Sequence, residues 1–223
     1  FTAYPDMQHF FPHTQVYFLG NPIRENVLSG LESTASAKEK LGLDENKLTI
    51  LSVGGSLGSR TLNNAWEKLI PQINEQGIQL IWQTGKTDYQ HIISQNLATE
   101  NIQVREFISD MALAYSAADV IVSRAGAIAI SELAIAGKPI LLVPFPFAAE
   151  DHQTKNAMAL VEKNAARMVK DSQMEAVFWQ TLSEICNNQS LREQMSRNLS
   201  LFAKPKATQE IVAQLLEALS LRP

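Results

Sequence analysis

The sequence predicts a doubly wound α/β domain built on a parallel sheet, and three observations carry that reading. Short apolar runs at 48–53, 79–83, 104–107, 120–123, 140–143 and 166–169 alternate with segments of helical periodicity, the rhythm of successive βαβ units. Two of the runs, Val120-Ile121-Val122 and Ile140-Leu141-Leu142-Val143, are apolar throughout rather than at every second residue, as strands covered on both faces require. Two turns of small residues, Gly54-Gly55-Ser56-Leu57-Gly58-Ser59 and Arg124-Ala125-Gly126-Ala127, each leave a strand and open a helix.

Residues 1–46 of the 223 lack this rhythm. Positions 1–19 are rich in aromatic residues and proline, Gly20-Asn21-Pro22-Ile23-Arg24 is a turn, and a polar stretch runs to Asn46. This part reads as the end of a preceding domain plus a linker, and an opening Phe1 in place of Met reads as the later part of a longer chain. From 47 to 203 the βα rhythm holds, with helices expected near 61–75, 88–97, 111–117, 127–136, 154–164, 174–186 and 190–201. The capping pattern Ser/Thr-x-x-Glu/Gln marks helix starts at Ser36…Glu39, Thr87…Gln90, Ser172…Glu175 and Ser190…Glu193. Lys204-Pro205-Lys206 then breaks the chain, and 204–223 is a separate segment holding a last amphipathic helix at 207–219. Its Ile211, Val212, Leu215, Leu216 and Leu219 make one apolar stripe. Trp66, Trp82 and Trp179 fall in core patterns, Cys186 reads as a small buried hydrophobe, His9 and His13 as exposed, and Lys38 and Lys40 as a solvated helix face.

A net charge of −4 speaks against a broad basic face for nucleic acid. One cysteine excludes a disulfide scaffold and fits a reducing cytosol. No apolar run reaches the ~18 residues of a membrane-spanning helix, and the first residues lack the charged start and apolar core of a signal peptide.

The chemistry concentrates at the two turns. Glycine lets backbone amides approach an anion with no Cβ in the way, and a helix N-terminus offers unpaired N–H groups and the positive end of the helix dipole. The first turn is neither a Walker A loop nor G-x-G-x-x-G. With the second, it can bring two helix N-termini to one diphosphate at the carboxyl edge of the sheet. Glu132 follows one to two turns into the second helix, placed to hold a ribose. After the run at 140–143 comes Pro144-Phe145-Pro146-Phe147-Ala148-Ala149-Glu150-Asp151-His152-Gln153-Thr154-Lys155-Asn156, a loop at the sheet edge where such folds keep their sites. Gln153 and Asn156 lie one helical turn apart and suit sugar hydroxyls. Asp151-His152 reads as a helix cap and a surface imidazole rather than half a metal site, and no Asp-x-Asp stands ready for a metal–diphosphate.

Together these residues resemble the MurG family of glycosyltransferases. The resemblance rests on Gly20-Asn21-Pro22-Ile23-Arg24, Val53-Gly54-Gly55-Ser56-Leu57-Gly58, Glu106-Phe107-Ile108, Ser123-Arg124-Ala125-Gly126-Ala127, Ser131-Glu132-Leu133, Gly137-Lys138-Pro139 and His152-Gln153…Asn156-Ala157, in order over nearly the whole chain. It implies a GT-B fold, two Rossmann-like domains facing across a cleft, with this chain as the carboxyl-terminal, donor-binding domain. The implied activity is inverting transfer of N-acetylglucosamine from UDP-GlcNAc to undecaprenyl-pyrophosphoryl-MurNAc-pentapeptide in peptidoglycan synthesis, without metal or other cofactor. The enzyme is expected on the cytoplasmic side of the bacterial membrane as a peripheral protein. Its catalytic base, acceptor site and membrane-facing patch are expected in the amino-terminal half.

Residue by residue, the resemblance implies UDP-GlcNAc contacts from Arg24 and Ser56 near the diphosphate and from the backbone of Ile108 at uracil. It further implies a cradle of Ala127, Ile128, Ala129, Ile130, Ser131 and Glu132 for phosphate and ribose, with Gln153 at the sugar hydroxyls. Two positions depart from the family: Leu57 stands where Gln is common, and Ala129 where Thr is common. Rival readings are a non-catalytic nucleotide-sugar-binding subunit completed by a partner chain and a GT-B enzyme with another donor or acceptor. A dehydrogenase is disfavoured because no G-x-G-x-x-G follows the first strand.

Overall fold

A computed structural model describes residues 1–3 and 7–220; parts of the 1–46 and 204–223 segments therefore lie outside the described residues. Six parallel strands form one sheet in the order β3-β2-β1-β4-β5-β6. They are β1 (Thr49–Val53), β2 (Gln79–Gln83), β3 (Ile102–Arg105), β4 (Val120–Ser123), β5 (Ile140–Leu142) and β6 (Arg167–Met168). Ten α-helices accompany them among the described residues: α1 (Glu25–Ser29), α2 (Thr34–Lys40), α3 (Arg60–Glu75), α4 (Tyr89–Ser94), α5 (Met111–Ala117), α6 (Ala127–Ala136), α7 (His152–Val161), α8 (Met174–Asn187), α9 (Gln189–Ser200) and α10 (Ala207–Ser220). This is the expected doubly wound α/β sheet, and its strand order is that of a dinucleotide-binding fold.

The chain runs outward from β1 to β3, crosses back, and continues from β4 to β6. β1 and β4 are therefore neighbours, paired from Ile50↔Val120 to Val53↔Ser123. Continuous apolar strands bury both faces, and two cores result. One holds Leu51, Ile121, Leu133 and Leu142 under α5 and α6; the other holds Ile50, Trp66, Trp82, Val122 and Phe178 under α3 and α8. Trp66 meets Phe178 edge to face at 5.4 Å and donates to Ser52 Oγ at 2.7 Å, so its N–H is satisfied in the core. Trp179 is only half-buried. Burial pushes the Cys186 thiol up to about 12, which keeps it a neutral packing group.

Four differences from the sequence reading have physical causes. Residues 25–40, expected as linker, form α1 and α2 and bury Val27 and Ala37 in the first core; helices of five and seven residues are too short to show periodicity. β3 lies two residues earlier than expected because its register is set by Leu80↔Ile102 through Gln83↔Arg105, which leaves Phe107 exposed beyond the sheet. None of the four Ser/Thr-x-x-Glu/Gln patterns caps a helix. Side-chain caps come instead from Ser33, Ser59, Asp110 and Asn188, each accepting from the backbone N–H three residues on. Lys38 is 3% exposed rather than solvated: its Nζ donates to Asp119 Oδ2 and to the Lys47 carbonyl, both at 2.7 Å. Lys40 does lie at the surface, on Glu32.

α10 stands apart from both cores. Ala207 is buried, whereas Val212, Leu215, Leu216 and Leu219 are exposed, so the apolar stripe is not covered by this domain. Asp119 Oδ2 also accepts from the Thr49 N–H at 2.8 Å, so the Lys38 ammonium compensates a carboxylate that pins the start of β1. Lys38→Ala should cost about 3 kcal/mol, the low end for breaking a buried pair because Asp119 keeps some solvent. Urea denaturation checks this, and a loss below about 1 kcal/mol would mark an ordinary surface charge.

Candidate functional site

The adjacency of β1 and β4 sets the two small-residue turns side by side at the carboxyl edge. The first turn folds against the end of β2: a Cβ at Gly58, where φ is +87°, would lie 2.0 Å from the Thr84 carbonyl oxygen, so only glycine fits this approach. Ser59 then caps α3, its Oγ accepting from the Leu62 N–H at 3.3 Å. The second turn ends on Gly126, whose lack of a side chain leaves the start of α6 without a side-chain cap. The first N–H groups of α6 thus have no protein partner of that kind and face the positive end of the helix dipole outward.

Arg124 ties the turns together. It donates to Ser59 Oγ at 2.6 Å, to the carbonyls of Val143 and Pro144, and to Asp171, and it lies 5.6 Å from the Phe145 ring centroid. From α7, Gln153 Oε1 accepts from the N–H of Ala125 at 3.1 Å and of Phe145 at 3.0 Å, while Asn156 donates to the Ala125 carbonyl at 3.1 Å. The loop before α7 turns on Glu150 and Asp151, both at positive φ (52° and 53°). Two successive non-glycine residues in the left-handed region store strain of order 1–3 kcal/mol each. Asp151 occupies the N-cap position of α7, and His152 is exposed.

Two adjoining cavities open at these turns. The smaller, of about 250 Å³, is lined by Arg24, Ser56, Gln83, Ile108, Tyr115 and Glu132 among others. The larger, of about 550 Å³, is lined by Gly54, Ser59, Arg124, Gly126, Phe147 and Gln153 among others. Val53, Gly55 and Ala129 border both, so one elongated ligand can cross from one to the other beside the start of α6.

Glu132 is the buried charge of the site, 4% exposed. Arg24 Nε and Nη2 each donate to it at 2.9 Å, a two-pronged pair, and the Tyr115 hydroxyl adds a third bond at 3.3 Å. The carboxylate holds the Arg24 guanidinium above its ordinary pKa. Desolvation first, then the Glu132 charge, pushes the Tyr115 phenol up as well, which keeps it a donor. Each carboxylate oxygen has two acceptor positions; Oε2 is filled by Arg24 and Tyr115, and Oε1 keeps one position for a ligand hydroxyl.

The structure gathers most of the expected site residues and redistributes their roles. Arg24, Ser56, Ile108, Ile128, Ala129 and Glu132 line the smaller cavity, and Gln153 the larger. Arg24 is engaged with Glu132 rather than standing free for a diphosphate. Ile130 faces away: its side chain is buried in the core and its N–H bonds to the Gly126 carbonyl at 2.9 Å, because the fourth residue of a helix has begun the regular ladder. Ser131 is turned to Asn21, which donates to its Oγ at 3.1 Å, and Ala127 opens α6. Three residues escaped the sequence reading. Tyr115 looks like a core residue of α5, Gln83 like a strand end, and Arg124 like part of a turn; only the spatial neighbours reveal their polar roles. Among the described residues no cluster of three or more His, Cys, Asp or Glu side chains could hold a metal, and no helix is long and apolar enough to cross a membrane.

Residues 49–211 match the model of the glycosyltransferase family 28 C-terminal domain. The chain belongs to this family. It is 45% identical over 98% of its length to a protein of Cytophaga hutchinsonii named UDP-N-acetylglucosamine--N-acetylmuramyl-(pentapeptide) pyrophosphoryl-undecaprenol N-acetylglucosamine transferase, and covers 58% of that protein. A protein of the same name from Flavobacterium psychrophilum is 40% identical over 96% of the chain, again with 58% of its own length covered. The crystal structure of Acinetobacter baumannii MurG superimposes with a TM-score of 0.68 at 34% identity, over 86% of this chain and 55% of that one. The chain therefore spans somewhat over half the length of these relatives. At 16% identity and a TM-score of 0.60, the lipopolysaccharide glycosyltransferase WaaG shares the fold. The family 28 domain is thus the carboxyl-terminal half of a GT-B architecture, as the sequence implied.

Gln153 clamps two backbone amides of the domain at once, and Ala125 is fully buried. Gln153→Leu should therefore destabilise the domain by about 1–3 kcal/mol, the cost of stranding the buried Ala125 donor. Thermal or urea unfolding measures this; an unchanged midpoint would mean the clamp does not hold the second turn.

Proposed function

We propose that this domain binds UDP-N-acetylglucosamine and that the whole protein transfers the sugar to undecaprenyl-pyrophosphoryl-MurNAc-pentapeptide. One observation carries the reading: a buried carboxylate, oriented by Arg24 and Tyr115, stands where a nucleoside-sized cavity meets an uncapped helix start and a second, larger cavity. A ribose between the cavities places a hydroxyl at the open position of Glu132 Oε1, its base in the 250 Å³ cavity beside Ile108 and Ser56, and its diphosphate at Ala127, Ile128 and Ala129. The sugar then lies in the larger cavity, where Gln153 still has its Nε2 donor. The names of the two relatives supply the donor and acceptor chemistry.

When the glycosidic bond breaks, negative charge grows on the departing diphosphate. The start of α6 meets it with N–H dipoles already oriented, so no reorganisation is needed at the moment of reaction. Arg24 acts one step back, fixing Glu132 and through it the nucleoside. Inversion at the sugar also calls for a base near the acceptor hydroxyl; we place that base, the acceptor site and peripheral contact with the cytoplasmic membrane surface in the amino-terminal half of the protein. The exposed stripe of α10 fits a helix that leans across onto that half. With the helix terminus opposite the leaving group, we propose that transfer needs no divalent metal.

Glu132→Ala should weaken UDP binding roughly ten- to a hundred-fold, the loss of one charge-assisted bond to a hydroxyl, with Glu132→Gln in between. Calorimetric titration of the folded variants decides this. Unchanged affinity in both would remove Glu132, and with it the ribose position, from the account.

A further inference from the structure

Among the described residues, each arginine that lines the two cavities faces a carboxylate, and no lysine lines either of them. Arg24 is paired with Glu132, Arg60 Nε lies 3.9 Å from Asp88, and Arg124 donates to Asp171. A crevice read as holding a diphosphate therefore presents no uncompensated side-chain cation. Its pull on an anion comes from the N–H dipoles at the start of α6.

The pair Arg124–Asp171 bears most directly on that anion. Arg60 is largely exposed, where solvent screens it, and Arg24 belongs to the smaller cavity. Arg124 and Asp171 are only 13% and 17% exposed, and they line the larger cavity together with Gly126 and Ala129 at the start of α6. Charges held this far out of solvent are weakly screened, so the repulsion from Asp171 offsets the attraction from Arg124. The second oxygen of Asp171 accepts from the Thr61 hydroxyl on α3, which fixes the carboxylate in place.

The effect grows with the charge of the ligand. Near neutral pH, UDP carries roughly one more negative charge than UDP-N-acetylglucosamine, because its terminal phosphate loses a second proton with a pKa of about 6. An unopposed arginine would hold the nucleotide product more tightly than the sugar nucleotide.

We propose that Asp171 compensates the charge of Arg124 so that the diphosphate site releases its nucleotide product. Asp171 is a positioning residue here, acting through Arg124. The inference rests on the placement of the diphosphate at the start of α6.

The test is calorimetric titration of uridine, UDP-N-acetylglucosamine and UDP into the wild-type chain and into Asp171→Asn, Asp171→Ala and Thr61→Val. In Asp171→Asn the amide oxygen still accepts from Arg124 and the amide nitrogen donates to the Thr61 hydroxyl, so the charge alone is removed. The gain in affinity should follow ligand charge: none for uridine, about threefold or more for UDP-N-acetylglucosamine, and more again for UDP. Raising the salt concentration should shrink it. Asp171→Ala removes the same charge and should show the same order, which keeps the test decisive if the Asn variant does not fold. Thr61→Val breaks the bond to Asp171 but leaves the charge, so its affinity ratios should match the wild type. Equal changes for all three ligands in Asp171→Asn would make Asp171 a brace and overturn the proposal. Weaker UDP binding would overturn it too, as would a Thr61→Val chain that gains affinity in the same order. A wild type that binds UDP no better than uridine refutes the diphosphate placement itself, whereas a wild type that prefers UDP beside an Asp171→Asn chain with no gain refutes the compensation alone.

Discussion

The site depends on one constraint of topology, that β1 and β4 are neighbours. A parallel sheet wound outward to β3 and then restarted beside β1 has one place where successive crossovers diverge, and a crevice must open there at the carboxyl edge. Both small-residue turns leave strands that border this crevice, at Val53 and Ser123, which face each other in register. The remaining features sharpen what the topology provides. Gly58 admits the close approach to Thr84, Gly126 leaves α6 uncapped, and Arg124 fastens both turns to the end of β5. Buried parallel strands make the crevice rigid, and the loops around it supply the chemistry.

The pair Arg24–Glu132 shows how the segment before the sheet takes part. Arg24 immediately precedes α1, more than a hundred residues from Glu132 in sequence, and it is half-exposed where its partner is buried. A buried carboxylate without a partner is costly; Arg24 and Tyr115 together remove that cost and fix the rotamer. The early residues therefore complete a buried polar cluster that sits on α6. Asn21, bonded to Ser131 on the same helix, strengthens the same junction.

The sheet was legible because burial on both faces writes itself as uninterrupted apolar runs, and the turns because glycine and alanine mark strand-to-helix passages. Ser56, Ile108 and Glu132 fall in motifs at those passages, whereas Arg24 lies in the turn before α1 and was singled out by the resemblance alone. What escaped has a common physical character. The Lys38 ammonium is buried only because Asp119, far along the chain, waits for it, and a Lys-Glu-Lys run looks solvated until that partner is placed. The helix caps fell on Ser33, Ser59, Asp110 and Asn188 because the final φ/ψ at each start, rather than a Glu three residues on, decides which side chain reaches an N–H. Ile130 belongs to the motif run yet turns into the core, since one face of α6 must pack on the sheet. Gln83 carried no motif at all; its role follows from two loops that meet its amide, at Gly55 and Ile108.

The central claim is that the crevice is a site for a uridine diphosphate sugar, read at base, ribose and diphosphate together. Its most direct measurement is calorimetric titration of the chain with UDP-N-acetylglucosamine, UDP-glucose and a GDP-sugar under identical conditions. The account predicts saturable binding of both UDP-sugars, tighter for UDP-N-acetylglucosamine, and no comparable binding of the GDP-sugar. Equal affinity for the GDP-sugar, or no binding of either UDP-sugar, would contradict it.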